Sequence, residues 1–223
     1  MIGTYYARIS REYHDELIQR FLRDFSKEFQ YKILNYRRWQ DAQLSLLGRL
    51  LLKQGLKDLH NIPTNKNLDI QYSDYNKPYL VNEFLKFSIS HSGNIAVCTI
   101  TNFNDIGIDI EKMKSVEVSL FKNQMTIFEW KLINNSIDKK NAFYNYWTQK
   151  EAVIKANGKG LSIPLTSFEI IDSQVLLNNE LYTLKELKIA QDYKCHLAIK
   201  GCLNNMVKSP EVRGIDVSFL LFN

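Results

Sequence analysis

Two kinds of apolar spacing alternate along this chain, and both occur in each half. Runs with a period of two must become strands. Runs with a period near 3.6 must become helices laid against them. Residues 2–9 are β-branched and aromatic and read as a first strand. Tyr13, Leu17, Ile18, Phe21, Leu22, Phe25 and Phe29 then recur at helical spacing behind Ser10, a residue suited to capping. A second helix is expected over 41–53, and residues 60–78 read as loops around a short strand at 68–72. Residues 84–89 and 95–101 form an expected hairpin, turning at Ser90-His91-Ser92-Gly93. After a short strand at 106–110, helices are expected at 119–134 and 141–157, the second stopping at Asn157-Gly158. Strands follow at 167–172, 174–177, 181–189, 195–200 and 212–221. The expectation is an α+β protein with a break at 101–106, dividing an N-terminal lobe, 1–104, from a C-terminal lobe, 105–223.

Composition narrows the function classes. With 223 residues, 45% hydrophobic and 24% charged, the chain has the make-up of a globular protein. Three cysteines without C-x-x-C spacing suggest neither a disulfide framework nor a zinc site, and point to a reducing cytoplasm. No signal-peptide pattern opens the sequence, and no apolar run is long enough to span a membrane. A net charge of +5 suits an anionic partner. The basic runs with interleaved aromatics that nucleic-acid binding asks for are missing.

Three constellations carry candidate chemistry. In Gly107-Ile108-Asp109-Ile110-Glu111 the strand period sends Asp109 and Glu111 to one face and Ile108 and Ile110 to the other. Paired carboxylates repel unless a cation lies between them, and hard oxygen ligands suit Mg²⁺; a solvated strand edge is the plainer reading. In Trp147-Thr148-Gln149-Lys150-Glu151-Ala152-Val153-Ile154-Lys155, Glu151 and Lys155 stand at i, i+4, which is also an ordinary surface ion pair. With Lys150 they can hold a phosphate and a metal, or take a proton. The third group is Asn76-Lys77-Pro78-Tyr79 with Ser88-Ile89-Ser90-His91-Ser92-Gly93, a turn that offers backbone N–H groups and an imidazole to a phosphate, with Lys77 adding a positive charge.

Taken in order, Lys-Pro-Tyr, Phe-Ser-Ile-Ser-His-Ser-Gly, Ile-Gly-Ile-Asp-Ile-Glu and Trp-Thr-Gln-Lys-Glu-Ala-Val-Ile-Lys resemble the Sfp-type 4′-phosphopantetheinyl transferases, most strongly from Lys77 to Pro164. The resemblance implies two similar α+β lobes in one chain, a pseudo-dimer with the active site between them. It implies transfer of 4′-phosphopantetheine from coenzyme A to a serine of an apo acyl, peptidyl or aryl carrier protein, with release of 3′,5′-ADP. Asp109, Glu111 and Glu151 would be ligands to Mg²⁺, with Mn²⁺ also acceptable to carboxylates. Lys155 and Lys150 would face phosphates, and Ser90, His91, Lys77 and Pro78 would lie at the adenosine side. Glu151 or Glu129 would serve as base. The family's basic residue after Asp-Ala-x is replaced here by Leu44, so Lys32, Arg37 and Arg38 are the candidates for the 3′-phosphate. An acidic carrier docking near 116–127, a monomeric state and a cytoplasmic location complete the expectation. The length favours this type over the shorter trimeric holo-acyl-carrier-protein synthases. A coenzyme A or carrier-binding module without catalysis is the alternative from another class.

Overall fold

The computed structural model describes residues 1–62, 68–81, 84–202 and 210–222. The first strand, β1 (Ile2–Arg8), lies antiparallel to β5 (Ile95–Thr101), which in turn pairs with β4 (Lys86–Ser92). A two-residue turn, Gly93-Asn94, joins β4 to β5, and Gly93 takes the left-handed conformation such turns favour. His91 is therefore inside the strand opposite Ala96, not at the hairpin tip that the sequence suggests. Three helices cover this sheet: α1 (His14–Phe21), α2 (Lys27–Leu34) and α3 (Trp39–His60). The single apolar stripe from Tyr13 to Phe29 is broken by a 3₁₀ turn at Leu22–Asp24, and Ser26 restarts the helix by accepting from the Phe29 amide. A small hairpin, β2 (Ile70–Tyr72) with β3 (Pro78–Leu80), packs beside them.

The second sheet begins at β6 (Ile106–Lys112). It continues through β7 (Gln174–Leu177), β8 (Glu180–Glu186) and β9 (Tyr193–Lys200), in the spatial order β6-β9-β8-β7. Two helices, α4 (Ile127–Asn135) and α5 (Lys139–Asn157), accompany it, and α5 ends on left-handed Gly158 as expected. The helix expected at 119–134 is instead a 3₁₀ turn, Val118–Gln124, followed by α4, because Thr126 and Glu129 form a capping box that fixes the start of α4. The strand expected at 167–172 is mostly irregular. Its Phe168 and Ile170 are buried under α5 rather than alternating across a ladder.

The two sheets meet edge to edge. No backbone ladder joins β4 to β6; instead the Ser88, Ser90 and Ser92 hydroxyls accept from the amides of Ile108, Ile110 and Lys112 at 3.1, 3.4 and 3.1 Å. Ile2, Ile95 and Val97 of the first sheet share one apolar cluster with Ile108, Ile110 and Leu197 of the second. The C-terminal segment crosses this seam. Where the sequence suggests one strand at 212–221, β10 (Glu211–Gly214) pairs in parallel with β1, and α6 (Val217–Phe222) puts Val217 and Leu221 into the first lobe's core. The boundary at 104/105 thus leaves in the C-terminal lobe a segment, 211–222, whose strand and helix pack on the first lobe.

Candidate active site

Gly107 decides how the site is built. A Cβ there would run into the Ala152 and Ala156 backbone, so the missing side chain lets α5 lie directly on β6. That close approach sets Glu151 and Lys155 of α5 beside Asp109 and Glu111 of β6. Lys155 Nζ donates to Asp109 Oδ1 at 2.6 Å and to Ser90 Oγ at 2.8 Å. Ser90 donates to the same Asp109 oxygen at 2.9 Å, and Ser92 donates to Glu111 Oε2 at 2.6 Å. The period-two reading of Asp109 and Glu111 is therefore correct, and the plain surface pair of Glu151 with Lys155 is not what the structure shows: Lys155 reaches across to the strand.

The Lys155 ammonium pairs with one of three carboxylates in this cluster. Burial, followed by the charge of Asp109, raises the Glu151 pKa; burial also raises that of Glu111, with Asp109 adding and Ser92 opposing. Asp109 Oδ2 is buried without a hydrogen-bond partner. Among the described residues no three His, Cys, Asp or Glu side chains form a ready-made metal cage. Asp109, Glu111 and Glu151 are instead an open group of hard oxygen donors, close enough that Asp109 raises the pKa of both others.

A cavity of about 300 Å³ opens beside the cluster, with Glu151 and Lys155 on one wall and Lys77 and Pro78 on another. Lys77 spans the lobes: its ammonium donates to the Ala156 carbonyl at 2.8 Å, near the C-terminal end of α5, and burial lowers its pKa. His91 points away from Ser90 and Ser92 along the strand and is exposed. Crowding against its neighbours and then the charge of Lys155 lower its pKa, and Asp41 and Lys32 are close enough to act on it as well. Lys32 is exposed and borders a second cavity, and exposed Arg38 pairs with Asp41 at 3.8 Å. Leu44 is a core residue, and neighbouring Gln43 is bound to the backbone of Ser10, so neither faces a ligand.

Lys150 and Glu129 are a correction to the sequence reading. Both side chains have no exposed surface, and they pair with each other at 2.9 Å. Lys150 spends its other two protons on the carbonyls of Leu165 and Phe168, at 2.7 and 3.0 Å. Glu129 accepts from the amides of Thr126 and Ile170. The reason is helical geometry: Lys150 precedes Glu151 by one residue, so it points about 100° away, into the interior. This pair ties α4, α5 and residues 165–170 together and takes no part in the cluster. The residue that sequence reasoning left without a role is Ser92, whose signal is the period-two serine pattern at 88, 90 and 92.

Fold and site together define a protein of two α+β lobes with a cavity between them lined by charged side chains from both. Comparison with known proteins agrees. Residues 105–198 match the model of the 4′-phosphopantetheinyl transferase superfamily, and residues 14–102 match that of a 4′-phosphopantetheinyl transferase N-terminal region. The chain is 32% identical over 206 residues to the 4′-phosphopantetheinyl transferase gsp of Aneurinibacillus migulanus, covering 87% of this chain and 84% of that one. It is 32% identical over 167 residues to the transferase Sfp of Bacillus subtilis (strain 168), covering 73% of each. An L-aminoadipate-semialdehyde dehydrogenase-phosphopantetheinyl transferase of Xenopus laevis is 27% identical over 216 residues, covering 82% of this chain and 71% of that one. The chain belongs to the 4′-phosphopantetheinyl transferase family, in its Sfp-type branch. It is an enzyme that moves phosphopantetheine from coenzyme A to a carrier protein.

Proposed function

We propose that transfer takes place at the cluster of Asp109, Glu111, Glu151 and Lys155, with coenzyme A lying in the cavity between the lobes and a carrier serine as acceptor. The observation that supports this most is the unpartnered, buried Asp109 Oδ2 among three carboxylates, with Lys155 paired to the other Asp109 oxygen. The donor set fits a hard divalent cation, Mg²⁺ or Mn²⁺, held by Asp109, Glu111 and Glu151; when bound it neutralises charge on the pyrophosphate and on the leaving 3′,5′-ADP.

The chain's own residues supply the rest. The serine oxygen bonds to the phosphorus that carries pantetheine, and the bond from that phosphorus to 3′,5′-ADP breaks. Lys155, fixed by Asp109 and Ser90, offers a positioned positive charge to that event. Glu151, on the cavity wall beside Lys155, is the carboxylate placed to take the serine proton. The buried pairing of Glu129 with Lys150 argues against it as the base. His91 and Lys32 present nitrogen donors on the adenosine side, with Arg38 nearby and Ser90 between them and the cluster. Lys77 and Pro78 form the opposite wall.

The acceptor is an acidic apo carrier protein, steered by the net charge of +5. Of the segment expected to dock it, Phe121 stacks on Phe143 and Trp147 and Met125 is buried, so the outward apolar surface is Leu120, Ile127 and Phe128. No described helix is long and apolar enough to cross a membrane. Free, buried Cys98 and Cys195 suit the reducing cytoplasm in which we place the enzyme, as a monomer.

The test is intact mass measurement of apo carrier proteins incubated with coenzyme A, Mg²⁺ and this protein. One phosphopantetheine should be added per carrier, the addition should stop with a chelator, and Asp109→Ala should lose it while keeping a native thermal transition. Normal turnover by Asp109→Ala refutes the site. An unmodified panel of fatty-acid, polyketide and nonribosomal-peptide carriers refutes catalysis in favour of a binding module.

A further inference from the structure

The serines of β4 obey a numerical rule. Each accepts from the amide twenty residues on: Ser88 from Ile108, Ser90 from Ile110, Ser92 from Lys112. Two of them also donate to the side chain nineteen residues on, Ser90 to Asp109 and Ser92 to Glu111. Ser88 has no such partner because residue 107 is glycine. A hydroxyl has one proton and rotates freely until a lone pair is engaged. With the Lys112 amide on its oxygen at 3.1 Å, the Ser92 proton is directed to Glu111 Oε2, at the 2.6 Å of a charge-assisted bond.

We propose that Ser92 is a positioning residue for Glu111: its hydroxyl, oriented by the seam between the two lobes, holds that carboxylate in the geometry the site needs. The proposal rests on the reading of Asp109, Glu111 and Glu151 as the functional cluster. Ser92 does not touch the substrate in this scheme. It makes the placement of one cluster carboxylate depend on the contact between β4 and β6, so the joint between the sheets and the site share one set of hydrogen bonds.

Ser88 is the comparison for the seam, because it makes the same amide bond and has no carboxylate to hold; it also lines the cavity assigned to coenzyme A, so the readout is the effect of Mg²⁺ on affinity and not affinity itself. Ser88→Ala, Ser92→Ala and Ser92→Thr are compared by thermal denaturation, by titration calorimetry with coenzyme A in the presence and absence of Mg²⁺, and by steady-state kinetics. Both alanine variants should lower the melting midpoint, since each leaves one seam amide without its acceptor. Ser92→Ala should lower the ratio of coenzyme A affinity with Mg²⁺ to that without it, by about tenfold to a hundredfold, the range for a hydrogen bond to a charged group, whereas Ser88→Ala should leave that ratio unchanged. Its kcat should fall with it, and Ser92→Thr should restore both. Should Ser92→Ala not fold, Ser92→Cys, a weak donor of similar size, replaces it with the same expectation. If Ser92→Ala keeps the parent's ratio of affinities with and without Mg²⁺, the positioning role is overturned. Glu111→Ala separates the two levels: if it retains metal-dependent binding and turnover, the cluster reading has failed rather than the role of Ser92.

Discussion

Replacing Lys150 separates a structural role from a catalytic one. Its ammonium is buried and has three acceptors: Glu129, and the carbonyls of Leu165 and Phe168. It also lies 4.5 Å from the centre of the Phe168 ring. Lys150→Met keeps most of the aliphatic volume and removes the charge. Glu129 is then left buried with two amide donors and no counter-ion, and two carbonyls lose a donor. Breaking a buried pair from one side costs about 3–5 kcal/mol. For a chain of this length, 1 kcal/mol moves the melting midpoint by about 2 °C, so a fall of about 6–10 °C is expected. Glu129→Gln should fall by a similar amount, and the double variant Lys150→Met/Glu129→Gln should recover part of the loss, because neither charge is then stranded. The assay is thermal denaturation paired with turnover at a temperature where all variants are folded. There each single variant should retain kcat within about tenfold of the parent, well short of the loss that removing a general base brings, about 10²–10⁴. A Glu129→Gln protein with an unchanged melting midpoint and a kcat lowered into that range would falsify the structural assignment and return Glu129 to the role of base.

Two further outcomes follow from the fold. Leu221→Ala, near the C-terminus, should cost about 2–5 kcal/mol, because Leu221 is fully buried in the core of α1–α3 and the first sheet. A denaturation midpoint equal to the parent's would show that the C-terminal helix does not dock there. The second concerns pH. His196, buried beneath α5, has its pKa pushed down from 6.5 to about 4, with burial as the main cause. The Thr148 hydroxyl gives its proton to the Tyr144 carbonyl, so His196 Nδ1 carries the proton that binds Thr148 Oγ1. The unfolded chain takes up the second proton more readily than the folded one. Stability from this group is therefore full above pH 6.5 and is lost as pH falls towards 4, by about 3 kcal/mol at most. His196→Asn should flatten the stability profile across that window, and an unchanged slope would refute the assignment.

What the sequence reveals about the site, and what it hides, follows from the two periodicities. Strand alternation is enough to put Asp109 and Glu111 on one face, and helical spacing is enough to put Glu151 and Lys155 on another. The same arithmetic separates Lys150 from Glu151 by about 100°, so the interior position of Lys150 was legible in principle. What the helix wheel cannot say is which partner waits inside. Glu129 reaches Lys150 because Thr126 caps α4 and turns that carboxylate inward, a tertiary outcome with no marker in the spacing of residues 129 and 150. The hairpin shows a similar limit: a turn-forming run from Ser90 to Gly93 is compatible with several registers, and the burial of Phe87, Ile95 and Val97 selects the one that turns at Gly93-Asn94. The C-terminus is the clearest case. Its apolar residues at 212–221 announce an element to be covered but not which sheet covers it. β10 is a mostly exposed edge strand, so its side chains carry little preference between the two sheets. Its address is set instead by α6, whose Val217 and Leu221 fit the first lobe's core and carry the strand before them to β1. The chain that builds the second lobe thereby closes the first. The proposed active-site cluster, formed where β4 meets β6, lies on a joint that the shared Ile2, Ile95 and Ile108 core and this returning segment hold from two directions.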